Sequence, residues 1–331
     1  MANESLARYE KDVLDYFGHL TEASFHIANC IICGEKKDYV ELFVKGSMQV
    51  VRCKCGFIYN RHQPTHIALG GFYSTSDAMR DWAQFKTTPE EITRQKKKYD
   101  YGLRFLKQKQ IRSLLDIGCG NGMFLHLANE VKTLKGSLGI DPSEPAIEEA
   151  KRLGVNVIKA DYSGLSKHLG EFECISLWGV LEHVKDPVEL LKTIQKYYTK
   201  RVRRDSMKRY LIVCVPNVES SAVTGSWSKC FTFCPQHLWY FSKTTLEKLF
   251  EHCGYEMLSH TTIESEAKPV IKAALGLDPY AETPPFINEQ FLNDNNIGKS
   301  DRFILKSGMG YKIVAIGRLI SVAQHSDHTS S

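Results

Sequence analysis

SLLDIGCGNGMFLHLA, residues 113 to 128, opens as a short apolar run (Leu114, Leu115, Ile117), breaks at three alternate glycines, and resumes helical spacing through Met123, Phe124, Leu127 and Val131. The pattern predicts a buried parallel strand, a tight turn and a helix over 122–132. Glycine at 118, 120 and 122 removes the Cβ atoms that would block a ligand, and the turn aims backbone N–H groups and a helix N-terminus above the strand. A nucleotide-like ligand is the first expectation. A dinucleotide fingerprint would place its third glycine at Met123, whereas here it comes one residue early, at Gly122. Nicotinamide binding is therefore disfavoured.

From residue 113 onward, strand-like and helix-like segments alternate, the signal of βαβ units and a parallel sheet. Strands are predicted at 113–117, 137–140, 155–159, 173–178 and 210–215, and helices near 122–132, 144–153, 187–200 and 243–253. Two further strand-like segments follow, GYEMLSHTTIES and GYKIVAIGRL.

Upstream, Cys30 and Cys33 are separated by nineteen residues from Cys53 and Cys55. Between them VELFVKGSMQVVRC predicts a hairpin turning at Lys45-Gly46-Ser47, and a glycine follows each cysteine pair. Two close pairs presented by a hairpin bring four thiolates to one tetrahedral point, which suits a closed, structural zinc site. The second pair departs from the usual two-residue spacing. Cys230 and Cys234 have no second pair beside them and read as ordinary thiols. Ahead of the ribbon, residues 1–25 predict an amphipathic helix with Leu6, Val13, Leu14 and Phe17 on one side. Behind it, residues 57–90 are rich in aromatics and turn formers, and Tyr73 and Trp82 are placed either to cover a ligand or to pack. Residues 91–110 predict a helix whose basic side (Arg94, Lys96, Lys97, Lys98, Arg104, Lys107, Lys109) is read as solvated.

The chain has 331 residues, 43 Lys and Arg against 38 Asp and Glu, and a net charge of +5, so contact with phosphate is permitted but not demanded. Its start carries acids and no apolar leader, and no window approaches a membrane span, so a cytoplasmic protein with no membrane partner is expected. Ten cysteines in such a chain argue for thiols and metal ligands over disulfides.

DIGCGNG, with Asp116 two residues before the first glycine, resembles motif I of the class I methyltransferases that use S-adenosylmethionine (SAM). The resemblance continues in SLWGVLEHVKDPVELLK, with Leu181, Glu182, His183, Asp186 and Pro187, and in the segment FTFCPQHLWYFSKTTLEKLFEHCGYE around His237. It implies a doubly wound, seven-stranded, mostly parallel Rossmann-like sheet closed by antiparallel sixth and seventh strands. It also implies cofactor contacts from Asp116, Gly118, Cys119, Gly120, Asn121, Gly122, Asp141, Pro142, Asp161, Trp178, Gly179, Val180 and Tyr73. Asp141 is placed to accept both ribose hydroxyls and Asp161 to meet the adenine amino group, with a helix cap or turn as the other reading of Asp161. Ser242 is read as a helix cap. His237 is the first candidate base and His183 the second, with a histidine simply bonded inside the loop as the alternative for His183.

With the ribbon (Cys30, Cys33, Cys53, Cys55), the architecture is similar to zinc-containing relatives that include sugar-nucleotide C-methyltransferases, from which Gln236 departs. The expected division is a helix (1–25), zinc ribbon (26–60), linker and helical lid (61–110), methyltransferase core (111–266), a loop or insertion (267–300), a closing helix and strand (301–320) and a disordered tail (321–331). SAM and structural zinc are the expected cofactors, with a small-molecule acceptor such as a nucleotide-linked sugar ahead of RNA, which the basic stretches 94–109 and 196–209 could grip. A SAM-binding protein without catalysis is the third reading, and the oligomeric state stays open.

Overall fold

The computed structural model describes residues 2–161, 172–201, 209–264, 270–272, 275, 277, 290 and 297–320. In chain order the strands are β1 (Phe25–Ile27), β2 (Tyr39–Lys45), β3 (Met48–Cys53), β4 (Ile58–Asn60), β5 (His62–Pro64), β6 (Ser113–Ile117), β7 (Gly136–Asp141), β8 (Val157–Lys159), β9 (Cys174–Trp178), β10 (Tyr210–Pro216), β11 (Trp239–Tyr240), β12 (Tyr255–Ile263) and β13 (Lys312–Leu319). The helices are α1 (Ala2–Gly18), α2 (His66–Thr75), α3 (Asp77–Phe85), α4 (Pro89–Gln108), α5 (Met123–Ala128), α6 (Glu144–Arg152), α7 (Pro187–Arg201), α8 (Ser221–Ser226), α9 (Lys243–His252) and α10 (Ile297–Lys306).

Seven strands form the main sheet in the order β12-β13-β10-β9-β6-β7-β8. The order reverses beside β6, so the C-terminal ends of β6 and β9 open a crevice, the position at which doubly wound sheets bind ligands. β13 pairs antiparallel with both β10 and β12. Only this last strand is reversed: β12, expected to be antiparallel, runs with the rest of the sheet. Inserting β13 between β10 and β12 flips the direction twice, which two strand-like segments cannot reveal in sequence.

Alternation along β6 and β10 feeds two cores. Leu115, Ile117, Val213 and Val215 fall on one face and Leu114, Ile212 and Cys214 on the other. On the first face α9 buries Leu246, Leu249 and Phe250 at i, i+3 and i+4 spacing, each contributing about 1.5–3 kcal/mol relative to exposure. Its start is fixed by a capping box: Ser242 Oγ accepts from the Thr245 amide (3.2 Å) and Thr245 Oγ1 from the Ser242 amide (2.9 Å).

The N-terminal hairpin forms as expected, Lys45 opposite Met48 across a two-residue turn in which Gly46 takes a positive φ of 56°. β11 pairs with β4, so the order of this second sheet is β11-β4-β3-β2 and the ribbon is stitched into the main domain by residues 239–240. The first helix ends at Gly18, not at residue 25, and buries Tyr9, Val13 and Phe17. Leu14, assigned to the same side, is 49% exposed, because the buried stripe follows i, i+4, i+8 through 9, 13 and 17. The side chain of Leu6 lies outside the described residues.

Most of 267–300 and all of 321–331 also lie outside them, while 297–300 begin α10. No described helix is long and apolar enough to cross a membrane.

Candidate active site

A cavity of about 800 Å³ opens above the C-terminal ends of β6, β7 and β9. It is lined by every residue expected to contact cofactor except Gly122, and by both candidate bases. The three glycines of the turn have φ of 68°, 53° and 75°, the left-handed region that side chains adopt at a cost. Their surroundings differ. A Cβ on Gly118 would lie 2.5 Å from Val180 Cγ2, and one on Gly122 2.6 Å from Val155 Cγ2 and 2.9 Å from Ala150 Cβ. These two permit close packing of strand, loop and helix. A Cβ on Gly120 meets nothing within 4 Å and would project into open space, so this glycine alone leaves room for a ligand.

Asp141 ends β7 and closes over the turn: its Oδ2 accepts from the Gly120 amide and its Oδ1 from the Ser143 amide, each at 2.9 Å. Burial raises its carboxyl above the usual range. Each oxygen keeps a lone pair for a further donor, as a ribose diol requires. Asp116 sits 1% exposed beneath the turn, its Oδ1 accepting from Ser176 Oγ at 2.6 Å. Burial, opposed by that bond and by Lys98, pushes it up to about 7. Asp161, at the end of the β8 segment, is exposed at the rim. With Glu182 these carboxyls make an acidic wall suited to a cationic ligand. Trp178 is clamped between Tyr99 and Phe124, with ring centroids 4.8 Å from each.

In the same cavity His183 and His237 stack edge to face with centroids 4.6 Å apart. His237 Nδ1 lies 2.7 Å from the Thr232 carbonyl oxygen and His183 Nδ1 3.0 Å from that of Gln236. A carbonyl only accepts, so each Nδ1 carries the proton and donates, leaving Nε2 with a lone pair. The Tyr73 hydroxyl oxygen, 2.9 Å from His183 Nδ1, accepts from the same N–H. Burial holds both imidazoles neutral, His237 down to about 4 and His183 well below the usual value. The side-chain partners of His183 thus come from other segments, Gln236 and Tyr73, and not from its own loop, while the ring faces the cavity.

Several lining residues escaped the sequence reading. α4 does not present its whole basic side to solvent: Arg94 and Lys98 line the cavity beside Glu91 and Gln95, which are buried. Glu91, 4% exposed, accepts from Lys86 Nζ at 2.6 Å and Arg94 Nε at 2.8 Å. Burial works to raise its carboxyl, but the two cations win and hold it below the usual range. The sequence signal was the helical series 91, 95, 99, 102 and 106, in which Glu91 and Gln95 continue the stripe of Tyr99, Gly102 and Leu106. Lys312 and Tyr9 also line the cavity, Tyr9 stacking on Trp82 at 4.7 Å and its hydroxyl oxygen accepting from Gln236 Nε2 at 3.1 Å.

The four ribbon sulfurs lie within 4.8 Å of one another, with Cys30 Sγ to Cys55 Sγ 3.6 Å and Cys33 Sγ to Cys53 Sγ 3.4 Å. Tetrahedral zinc with bonds of about 2.3 Å sets sulfur separations near 3.8 Å, so the cluster fits the metal. Gly34 and Gly56 take φ of 73° and 89° and close the two knuckles, each amide donating to the carbonyl of the first cysteine of its pair at 2.8 Å. Cys230 and Cys234 are buried and join no ligand cluster among the described residues.

A family model described as "Methyltransferase domain" matches residues 80–260, more than half of the chain. The chain belongs to the methyltransferase domain family. With the glycine turn and strand order above, the domain is that of a class I SAM-dependent methyltransferase. Over 101 residues it is 32% identical to a ubiquinone biosynthesis O-methyltransferase of Coxiella burnetii (27% of this chain, 42% of that protein). Over 89 residues it is 30% identical to the Escherichia coli protein of the same name (24% and 36%). The chain thus spans about two fifths of the length of the curated relatives it matches. Among solved structures, a SAM-dependent methyltransferase from Archaeoglobus fulgidus aligns with TM-score 0.43 and 22% identity, covering 70% of this chain and 100% of that one. A plantazolicin methyltransferase bound to a pentazolic analogue and SAH aligns with TM-score 0.48 and 19% identity, covering 76% and 94%.

Proposed function

We propose that the protein binds SAM at the glycine turn and transfers its methyl group to a hydroxyl oxygen of a small acceptor. The observation that supports this best is the continuity of one cavity of about 800 Å³ from Gly120 and Asp141 to the His183 and His237 pair. Ligand pockets typically enclose about 300–1,000 Å³, so the space suits a nucleoside-sized donor beside a compact acceptor.

Bound SAM supplies an electrophilic methyl on a sulfonium, which moves by in-line displacement. The chain's part is placement and proton handling. Gly120 leaves space over the turn, Asp141 presents carboxylate lone pairs to a diol, and the acidic wall faces the cationic donor. Asp161 meets the adenine edge, Trp178 to Val180 wall the reacting centre, and Tyr73 covers it from α2. His237 Nε2 takes the acceptor's proton, and His183 orients the hydroxyl. The ribbon holds zinc in a closed structural role, because four thiolates leave no open position.

The finer reading of the acceptor, a nucleotide-linked sugar or glycan precursor, draws its support from the ribbon and from the segment around His237. RNA is less favoured: Arg94 and Lys98 line the cavity, so α4 does not offer its whole basic side to phosphate. Of the second basic stretch, 202–208 lie outside the described residues.

The test is incubation with labelled SAM, offering a fractionated small-molecule extract, nucleotide-linked sugars and phenolic acceptors beside an RNA fraction. Label in the small-molecule arms is expected. Label in RNA alone, or bound SAM with no transfer to any fraction, would overturn the reading.

A further inference from the structure

We propose that Glu182, His183 and His237 form a site for a divalent cation at the acceptor end of the cavity, separate from the four-cysteine cluster. The inference rests on the reading above that this end receives the acceptor hydroxyl.

One ligand atom from each residue lies within 4.8 Å of the other two, and all three residues line the cavity. The chain holds them together from two directions. Glu182 and His183 follow β9, and the Leu238 amide donates to the Glu182 carbonyl at 2.7 Å, fixing the residue next to His237 against that loop.

The orientation of the rings matters more than their closeness. Both Nδ1–H groups are spent on backbone carbonyls, of Thr232 and Gln236, so both Nε2 lone pairs remain for another partner. An imidazole pinned by a carbonyl at one nitrogen and open at the other is the usual arrangement of a metal-binding histidine.

Glu182 supplies the third acceptor. It is buried, and its Oε2 has no hydrogen-bond partner. Its Oε1 is 3.9 Å from His183 Nε2, too far for a hydrogen bond that a protonated carboxyl could donate. With Glu182 ionised, three acceptors converge with no donor among them, a costly arrangement for buried groups. A cation satisfies all three at once. The present spacing exceeds the roughly 3.0–3.4 Å between ligand atoms of a formed site, so the side chains would draw in by about 1 Å on binding.

Two nitrogens and one carboxylate oxygen favour a first-row ion such as Mn²⁺, Fe²⁺, Co²⁺ or Zn²⁺ over Mg²⁺ or Ca²⁺, and leave positions open toward the cavity. With the cation bound, His237 Nε2 is a ligand and no longer the base, and an acceptor hydroxyl held on the ion gives its proton to water instead. Its oxygen lone pair then forms the bond to the methyl carbon, while the carbon–sulfur bond breaks and its electron pair stays on sulfur.

The test uses the full chain with its ribbon loaded with zinc, titrated with Mn²⁺ and followed by electron paramagnetic resonance. One saturable equivalent is expected, with nitrogen modulation from imidazole in the pulsed spectrum. Glu182→Gln and His183→Asn should each weaken binding by at least about tenfold. Should a variant fail to fold, the nitrogen signal of the unaltered protein still decides. No saturable binding at millimolar Mn²⁺, or binding without imidazole nitrogen, overturns the site. SAM binding measured in parallel separates the two readings: a protein that binds SAM but takes up no Mn²⁺ sinks the cation site alone, and one that binds no SAM sinks the methyltransferase reading.

Discussion

The Asn60 amide donates to the Leu238 carbonyl at 2.9 Å, joining the last residue of β4 to the residue that follows His237. Gln63 Nε2 donates to the same oxygen at 3.2 Å, Trp239 pairs with Tyr59 across the sheet, and Trp239 Nε1 donates to the Val184 carbonyl at 2.8 Å. The ribbon is thereby the back wall of the segment carrying His237. Removing zinc by a chelator, or changing Cys53 to Ser, should lower methyl transfer at least about tenfold while SAM affinity, set by the β6 turn and the end of β7, stays within a few-fold. Metal content, calorimetric SAM binding and label transfer measured on one sample check this. Full transfer by a zinc-free protein would show the coupling to be absent.

The glycine turn separates packing from ligand access within five residues. A Cβ at Gly120 meets no atom within 4 Å, so Gly120→Leu fills the space a donor needs; it should reduce SAM affinity by about two orders of magnitude or more and lower Tm through the strain of a side chain at φ 53°. Gly122→Ala, whose Cβ would press on Val155 and Ala150, should instead destabilise the fold by about 2–4 kcal/mol. Urea unfolding and SAM titration of both variants test the contrast. Unchanged SAM affinity in Gly120→Leu would refute the placement of the donor.

Much of this was legible because local chemistry and fold agree. The run Leu114 to Ile117 could only be a buried strand, and the alternate glycines only a turn, so β6, α5 and the crevice above them followed. The cysteine spacing located the ribbon for the same reason. What stayed hidden depends on contacts distant in sequence. The helical series puts Glu91 and Gln95 on the buried stripe of α4, but what they meet there, Lys86 and the cavity itself, comes from other elements and is not written in the helix. The reversal of β13 is decided by its insertion between β10 and β12. The convergence of Glu182 with His237 is likewise set by one long-range backbone bond, Leu238 to Glu182.

Asp116 gives the site a pH dependence. Burial raises its carboxyl to about 7 in the ligand-free protein, so it is neutral below that pH and ionised above it. A cationic donor binds the ionised form better, and SAM affinity should fall as pH drops through 7, by at most about tenfold per unit. Asp116→Asn should flatten that profile. Because the folded pKa lies above the unfolded value near 3.8, the ionised carboxyl costs stability, in full above about 7 and not at all below the unfolded value. Asp116→Asn should therefore stabilise the ligand-free protein at pH 8 by about 1–2 kcal/mol. A pH-independent affinity in the unaltered protein would contradict the assignment.

His237→Asn isolates the proton step from the architecture. The Asn side-chain amide can still donate to the Thr232 carbonyl that now receives Nδ1–H at 2.7 Å, so the segment keeps its bond while the Nε2 lone pair is lost. SAM affinity should be retained, since His237 belongs neither to the glycine turn nor to the β7 end that carries Asp141. Transfer should fall by about 10²–10⁴-fold. The loss should appear in kcat more than in KM, because the lone pair, as base or as ligand to a cation, acts on the acceptor hydroxyl and not on the donor. If SAM binding and transfer were lost together, His237 would be a structural post for the Thr232 to Tyr240 segment. Full activity would instead move proton handling to His183, whose Nε2 faces the same space.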